Sequence, residues 1–160
     1  MTAAALLAAA VLAGCGDDET PDPQAPLTAQ VVRVSDGDTI RVRLASGREE
    51  RVRYIGVDAP ETEKPGAAAE CYAERAAAFN AQLVADREVR LVRDAEERDR
   101  YGRLLAYVHV GHTDVGEALL RGGYAQPLTV PPNVRHAERF RRLAAEARRA
   151  GRGLWASCAS

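Results

Sequence analysis

Long apolar runs are scarce in this 160-residue sequence. The one candidate, Ala3 to Ala13, falls short of the roughly 20 residues needed to cross a bilayer, which excludes a spanning helix there. No internal repeat is visible, which excludes a stacked-repeat architecture. Histidine is sparse: His109, His112 and His136 lack metal-ligand spacing and read as structural or solvated. No run of alternating Asp or Asn closes on a Glu twelve positions on, so an EF-hand is excluded. Lys64 is the only lysine among 22 basic residues; an almost all-arginine set reflects genome composition rather than function.

What is present is ordinary for a globular chain: 46% hydrophobic and 28% charged residues, at a length that suits one folded domain. Residues 1–15 read as a signal segment. The Ala3–Ala13 run suits a signal h-region, although no Lys or Arg precedes it. Leu12-Ala13-Gly14-Cys15 resembles a bacterial lipobox, with cleavage before Cys15 and lipid on its sulfur. The competing reading is an ordinary secretory signal with an incidental cysteine. Residues 16–27 are acidic, Pro-rich and free of aromatics, as expected of a disordered tether. The chain is thus expected to be an exported, membrane-anchored lipoprotein facing the cell surface or periplasm. The tether carries four of the 23 acidic residues and no basic one, so the rest has 22 basic against 19 acidic, a net of about +3. That suits a polyanionic partner without demanding one. With Cys15 lipidated, Cys71 and Cys158 remain, an even pair in an exported protein. A disulfide is favoured over two free thiols.

Residues 28–160 form the expected domain. Thr28–Val34, a strand, runs into the Ser35-Asp36-Gly37-Asp38 turn. Ile40, Val42 and Leu44 alternate with Arg41 and Arg43, the period of a half-buried strand. A third strand spans Glu50–Val57, and tight turns make the three an antiparallel meander. A helix is expected over Ala67–Ala85, with Tyr72, Ala76, Phe79 and Leu83 on one face. Strands follow at Glu88–Arg93 and Leu104–Val110, then a helix at Val115–Arg121, an extended segment at Pro127–Asn133 and a last helix at Arg135–Ala150. Pattern alone gives a small α+β protein, mainly β, with five strands and three helices.

Three segments carry candidate chemistry. Asp36-Gly37-Asp38-Thr39 places a carboxylate at the end of a turn. Arg53 precedes Asp58-Ala59-Pro60-Glu61, and Asp99-Arg100-Tyr101-Gly102-Arg103 closes a charged loop. Each is weak alone: Asp-Gly-Asp is a common turn, a Glu after Pro is usually solvated, and most arginines face water. In this order they closely resemble the staphylococcal-nuclease (thermonuclease) family, from about Val31 to Trp155.

The resemblance implies an OB-fold barrel of five strands with three helices. It implies that Asp38, Asp58 and the backbone carbonyl of Ala59 bind Ca²⁺, a hard cation that takes oxygen ligands. It implies that Glu61 activates or positions the attacking water. Arg53 and Arg103 would clamp the phosphate, which guanidinium groups match bidentately. Tyr101 resembles the family's tyrosine near the substrate phosphate, and Asp99 is expected to orient its loop. A second aromatic platform of the family has no counterpart in Gln126–Pro132. The activity implied is Ca²⁺-dependent, sequence-nonspecific hydrolysis of DNA and RNA by a monomer, leaving 3′-phosphate ends. The alternative is an inactive nucleic-acid-binding or interaction module on the same fold. It would lack one or more of the five charged positions, all of which are retained.

Overall fold

The structure, a computed structural model, describes residues 25–63 and 66–158. The lipobox at Cys15 and the tether up to residue 24 lie outside the described residues, as do Lys64 and Pro65. Eight strands and four helices are described: β1 Leu27–Val34, β2 Thr39–Leu44, β3 Glu49–Tyr54, β4 Val57–Asp58, β5 Glu88–Val92, β6 Leu104–Val110, β7 Thr113–Asp114 and β8 Gln126–Pro127, with α1 Ala73–Val84, α2 Val115–Gly122, α3 Ala137–Arg149 and α4 Leu154–Ser157.

Alternation builds the barrel. In β2, Ile40 and Val42 are fully buried while Arg41 and Arg43 face out. β1, β2 and β3 pair antiparallel, with Val31 opposite Val42 and Ile40 opposite Val52. β5 returns beside β1, β6 lies antiparallel to β5, and β6 then meets β3 in parallel register, Val52 opposite Leu104. That last pairing closes five strands into a barrel and leaves no long edge exposed. Val31, Ile40, Val42, Val52, Val89, Leu91 and Val108 fill it. Each such side chain stabilises the fold by roughly 1.5–3 kcal/mol relative to exposure. The mainly β α+β class and the five-strand barrel agree with expectation.

α1 packs against β1, α2 against β6, and α3 against α2 and β8. Phe140, Ala144 and Ala147 recur at spacings of four and three on α3 and are buried, whereas Arg141, Arg142, Arg148 and Arg149 are exposed. Phe140 lies under the turn at Gly56, whose φ is 81°; a Cβ there would meet the Phe140 ring at 2.7 Å. Only glycine fits both the left-handed backbone and the contact.

Several boundaries differ from the sequence reading. β1 begins at Leu27, one residue before the expected strand Thr28–Val34. The first helix opens at Ala73 instead of Ala67, because Gly66 and Tyr72 both adopt positive φ and break the helical path. Ala67, Ala68 and Ala69 are exposed, and helical propensity alone does not carry a stretch with no face to bury. The third strand stops at Tyr54; the Gly56 turn swings Val57–Asp58 out of the barrel to pair with β8. The expected extended segment Pro127–Asn133 is interrupted: Pro127 ends β8, and Val130 is bridged to Asn133 across a turn at Pro131 and Pro132. α4, a single turn, adds a helix to the three expected.

Candidate active site

The barrel end formed by the β1–β2 turn, the end of β3 and β4 collects the acidic residues around one arginine. Gly37 lets the turn sit close: a Cβ there would stand 2.5 Å from the Ala59 Cβ and 3.0 Å from that of Ala76. Asn80, fully buried on α1, donates to the Asp36 carbonyl at 2.9 Å and accepts the Tyr54 hydroxyl at 2.9 Å. The turn that presents Asp38 is therefore clamped to both β3 and α1.

Asp38 is buried. Its Oδ2 accepts the Ala59 N–H at 2.7 Å and lies 3.2 Å from Arg53 Nη1, and its Oδ1 accepts the Thr39 hydroxyl at 3.0 Å. Burial pushes the Asp38 carboxyl up to about 6, with Asp36 adding to the rise, although Arg53, the Ala59 N–H and Thr39 all pull it down. Arg53 reaches from β3 and is itself mostly buried. Its Nη1 donates to the Val57 carbonyl at 2.7 Å and the Tyr54 carbonyl at 3.1 Å, and its Nη2 donates to Asp58 Oδ1 at 2.9 Å. One guanidinium thus bridges Asp38 and Asp58, while the rest of the Asp58 side chain is 59% exposed.

Arg103 arrives from another element, the loop before β6. Asp99 holds it twice: Oδ2 accepts its Nε at 2.6 Å, and Oδ1 accepts its backbone N–H at 2.9 Å and that of Tyr101 at 2.9 Å. Burial pushes the Asp99 carboxyl up, but the bonds from Arg103 and Tyr101 outweigh it and hold the group below the usual carboxylate range. Because Asp99 engages Nε, the two terminal nitrogens of Arg103 remain for a ligand among contacts of the described residues. The Tyr101 ring is exposed, with the Arg103 and Arg100 guanidiniums 5.5 and 4.8 Å from its centroid.

Two adjoining hollows tie these groups together. Arg53 and Arg103 line a cavity of about 180 Å³ floored by Ile55, Gly56, Leu105 and Leu128. Arg103 also lines a cleft with Arg51, Glu61 and Tyr101. Arg103 is therefore the link between the Arg53–Asp38–Asp58 cluster and Glu61. The Glu61 segment is exposed, and its backbone N–H donates to Glu70 Oε2 at 2.9 Å.

Residues 51–157 match the family described as Staphylococcal nuclease homologue. The chain belongs to the staphylococcal nuclease family. The thermonuclease of Staphylococcus hyicus is 38% identical over 130 residues, covering 81% of this chain and 76% of that protein. Endonuclease YncB of Bacillus subtilis strain 168 is 41% identical over 125 residues, 77% of this chain and 59% of the relative. The thermonuclease of Staphylococcus intermedius is 38% identical over 125 residues, 78% and 74%.

Every residue singled out by resemblance to the staphylococcal nuclease family falls in this region: Asp38, Arg53, Asp58, Ala59, Glu61, Tyr101 and Arg103. The donor set there is all oxygen, which fits a hard cation better than zinc. Asp38 and Asp58 are brought together, and the Ala59 peptide is fixed beside them through its N–H. Among the described residues no group of three or more His, Cys, Asp or Glu is assembled to hold a metal. A hard-cation shell of six to eight oxygens would therefore draw on backbone, water and substrate as well.

Sequence reasoning missed Asn80, Asn133 and Glu70. Asn133, buried at the cavity wall, brackets the Glu96 backbone with bonds of 2.7 and 2.9 Å. A readable signal existed for Asn80, a polar residue on the apolar face of α1; Asn133 and Glu70 had none. Of the histidines, read as structural or solvated, His136 stacks on Tyr107 with centroids 4.1 Å apart, burial lowers the His109 pKa, and His112 is exposed. Cys71 and Cys158 form the expected disulfide, closing a separation of 87 positions.

Proposed function

We propose that this protein is a nuclease that hydrolyses phosphodiester bonds in DNA and RNA with little sequence selectivity, requires Ca²⁺, and leaves 3′-phosphate ends. The observation that carries the reading is Arg103 lining both hollows. It sets two preorganised guanidiniums on one side of a cavity, with Asp38 and Asp58 against one of them and Glu61 across the adjoining cleft. A metal requirement is a property of the thermonuclease family, and the oxygen donors fit one. Asp38, Asp58 and the Ala59 carbonyl would hold Ca²⁺, which would supply positive charge against the attacked phosphate.

The chain's own groups account for the rest. A phosphate in the cavity meets the terminal nitrogens of Arg103 and the guanidinium of Arg53. Both offer N–H groups to the phosphate oxygens that gain charge in the transition state. Glu61 accepts the proton of the attacking water as the bond to phosphorus forms. The 5′ oxygen leaves and takes a proton from solvent. Contacts of this kind read the backbone and carry little base information. With Leu128 and Val130 exposed where the family places an aromatic platform, base stacking, which contributes about 1–3 kcal/mol per base, is reduced.

The same reading makes the chain an exported monomer, tethered to the membrane by lipid on Cys15. Its test is cleavage of denatured DNA by the full chain with Ca²⁺, with Mg²⁺ and with chelator. Cleavage with Ca²⁺ alone, giving 5′ ends that a kinase labels without prior phosphatase treatment, is expected. Equal rates in chelator would overturn the metal requirement. No cleavage under any condition, with DNA still bound, would favour an inactive binding module. Labelled fatty acid on the wild type, absent from Cys15→Ser, checks the anchor.

A further inference from the structure

The Cys71–Cys158 bond lies one residue from Glu70, and Glu70 grips the loop that carries Glu61. The grip is two-sided: the Glu61 N–H donates to Glu70 Oε2 at 2.9 Å, and the Glu70 N–H donates to the Glu61 carbonyl at 3.0 Å. The Glu70 carbonyl then accepts the Ala73 N–H at 3.0 Å, where α1 begins. Residues 66–71 are all exposed, so apolar burial contributes little to holding them. The next residue, Tyr72, has a left-handed φ of 72°, a conformation that persists in a non-glycine residue only where its surroundings enforce it.

The far end of the disulfide is firmly seated. Leu154 is buried, its N–H donates to the Gly123 carbonyl at 2.8 Å, and the Cys158 N–H closes α4 on the Leu154 carbonyl at 2.9 Å. Gly123 and Gly153 approach so closely that a Cβ on Gly153 would stand 2.2 Å from the Gly123 oxygen. The bond therefore connects an exposed, weakly buried stretch to a rigid corner between α2 and α4.

We propose that Glu70 and the Cys71–Cys158 disulfide act as one bracket that positions Glu61 for catalysis. Neither cysteine touches substrate. The bond fixes Cys71, Cys71 fixes Glu70, and Glu70 fixes the Glu61 backbone from both sides. The inference rests on the nuclease reading for its catalytic consequence and on the hydrogen bonds alone for its structural one.

Two measurements on the full chain test it, both well below the melting temperature. The first is kcat and KM on denatured DNA with Ca²⁺ for wild type, Cys71→Ser/Cys158→Ser, Glu70→Ala and Glu70→Gln. A small misplacement of a catalytic group costs rate far more than affinity, so the double serine variant and Glu70→Ala should each lose about tenfold in kcat with KM within about twofold. Combining them should cost no more than the larger single loss, because both act through one contact. Glu70→Gln keeps an acceptor oxygen and should retain most of the rate. The second is amide hydrogen exchange: Glu61 should exchange at least about tenfold faster in the double serine variant and in Glu70→Ala, while Val52 in the barrel should not change. A lower melting temperature with unchanged kcat and unchanged Glu61 exchange overturns the bracket. If the double serine variant does not fold, Glu70→Ala, which leaves the disulfide intact, decides by the same criteria. If the wild type cleaves nothing, the nuclease reading falls, and Glu61 exchange still decides the bracket.

Discussion

Asp38 and Arg53 sit on or beside barrel strands, whereas Glu61, Tyr101 and Arg103 sit on loops, and the two groups are held by different physics. Arg53 is fixed by two backbone carbonyls and two carboxylates, with its side chain 13% exposed. Asp38 is buried deeply enough to raise its carboxyl to about 6. Tyr101 is 59% exposed, and Arg103 depends on a single carboxylate, Asp99. The strand-borne half is preorganised by the fold and carries the burial cost of Asp38; the loop-borne half is preorganised by local hydrogen bonds, and its burial cost is confined to the Asp99–Arg103 pair. Substitutions in the first half should therefore change activity and stability together, and those in the second should change activity alone.

Arg53→Ala should show the largest effect. It removes a donor aimed at the phosphate and leaves Asp38 buried without its cation, so a rate loss of about 10²-fold or more and a stability loss of about 2 kcal/mol at pH 8 are expected. The loss should shrink with acidification. Asp38 already has a folded-state pKa raised above its unfolded value, so its contribution favours folding below about pH 4 and is lost as pH rises through about 6. Removing Arg53, which lowers that pKa, widens the difference. Denaturant unfolding of wild type and variant without metal, at pH 4 and pH 8, reads this directly. A variant as stable as wild type at pH 8 would break the contrast.

Asp58→Asn should match a large rate loss, again about 10²-fold, with stability unchanged to within about 0.5 kcal/mol, because its side chain is mostly exposed. Calcium titration by calorimetry should show weaker binding. Among positions next to Asp38, this one best separates function from fold.

Arg103→Ala should cost a similar or somewhat smaller factor, about 10²-fold, again with little change in melting temperature. Asp99→Asn keeps Arg103 charged but weakens its anchor, so the rate should fall about tenfold and a higher KM should not account for it. If Asp99→Asn lost as much as Arg103→Ala, the carboxylate would be acting on substrate instead of through the arginine.

Tyr101→Ala should be the mildest, about three- to tenfold in KM for single-stranded DNA, since an exposed ring has little to lose except stacking and its contact with Arg103. Double-stranded substrate, whose bases are already stacked, should respond less.

The alternation of Ile40 and Val42 with Arg41 and Arg43 and the apolar spacing of α3 were enough to place five strands and three helices in order, whereas the site residues were legible only through the family resemblance of three short segments. Each of these signals is local: a periodicity or a turn reports on itself. The start of α1 was misread because Ala67–Ala69 look helical, while the deciding features, left-handed backbone at Gly66 and Tyr72, answer to contacts made elsewhere. The exit of Val57–Asp58 from the barrel was invisible for the same reason, since its partner is β8, about 70 positions away.

By itself, then, the sequence determined the strand and helix pattern and the even pair of cysteines, because those depend on composition and on neighbours a few residues apart. Only the tertiary structure decided that one guanidinium spans Asp38 and Asp58, that Arg103 faces two hollows at once, and that the Cys71–Cys158 bond lies beside the residue gripping Glu61. Those relations join positions far apart along the chain, and closure of the barrel through β3 and β6, with the packing of α1 against β1 and of α4 against α3, is what brings them within bonding distance.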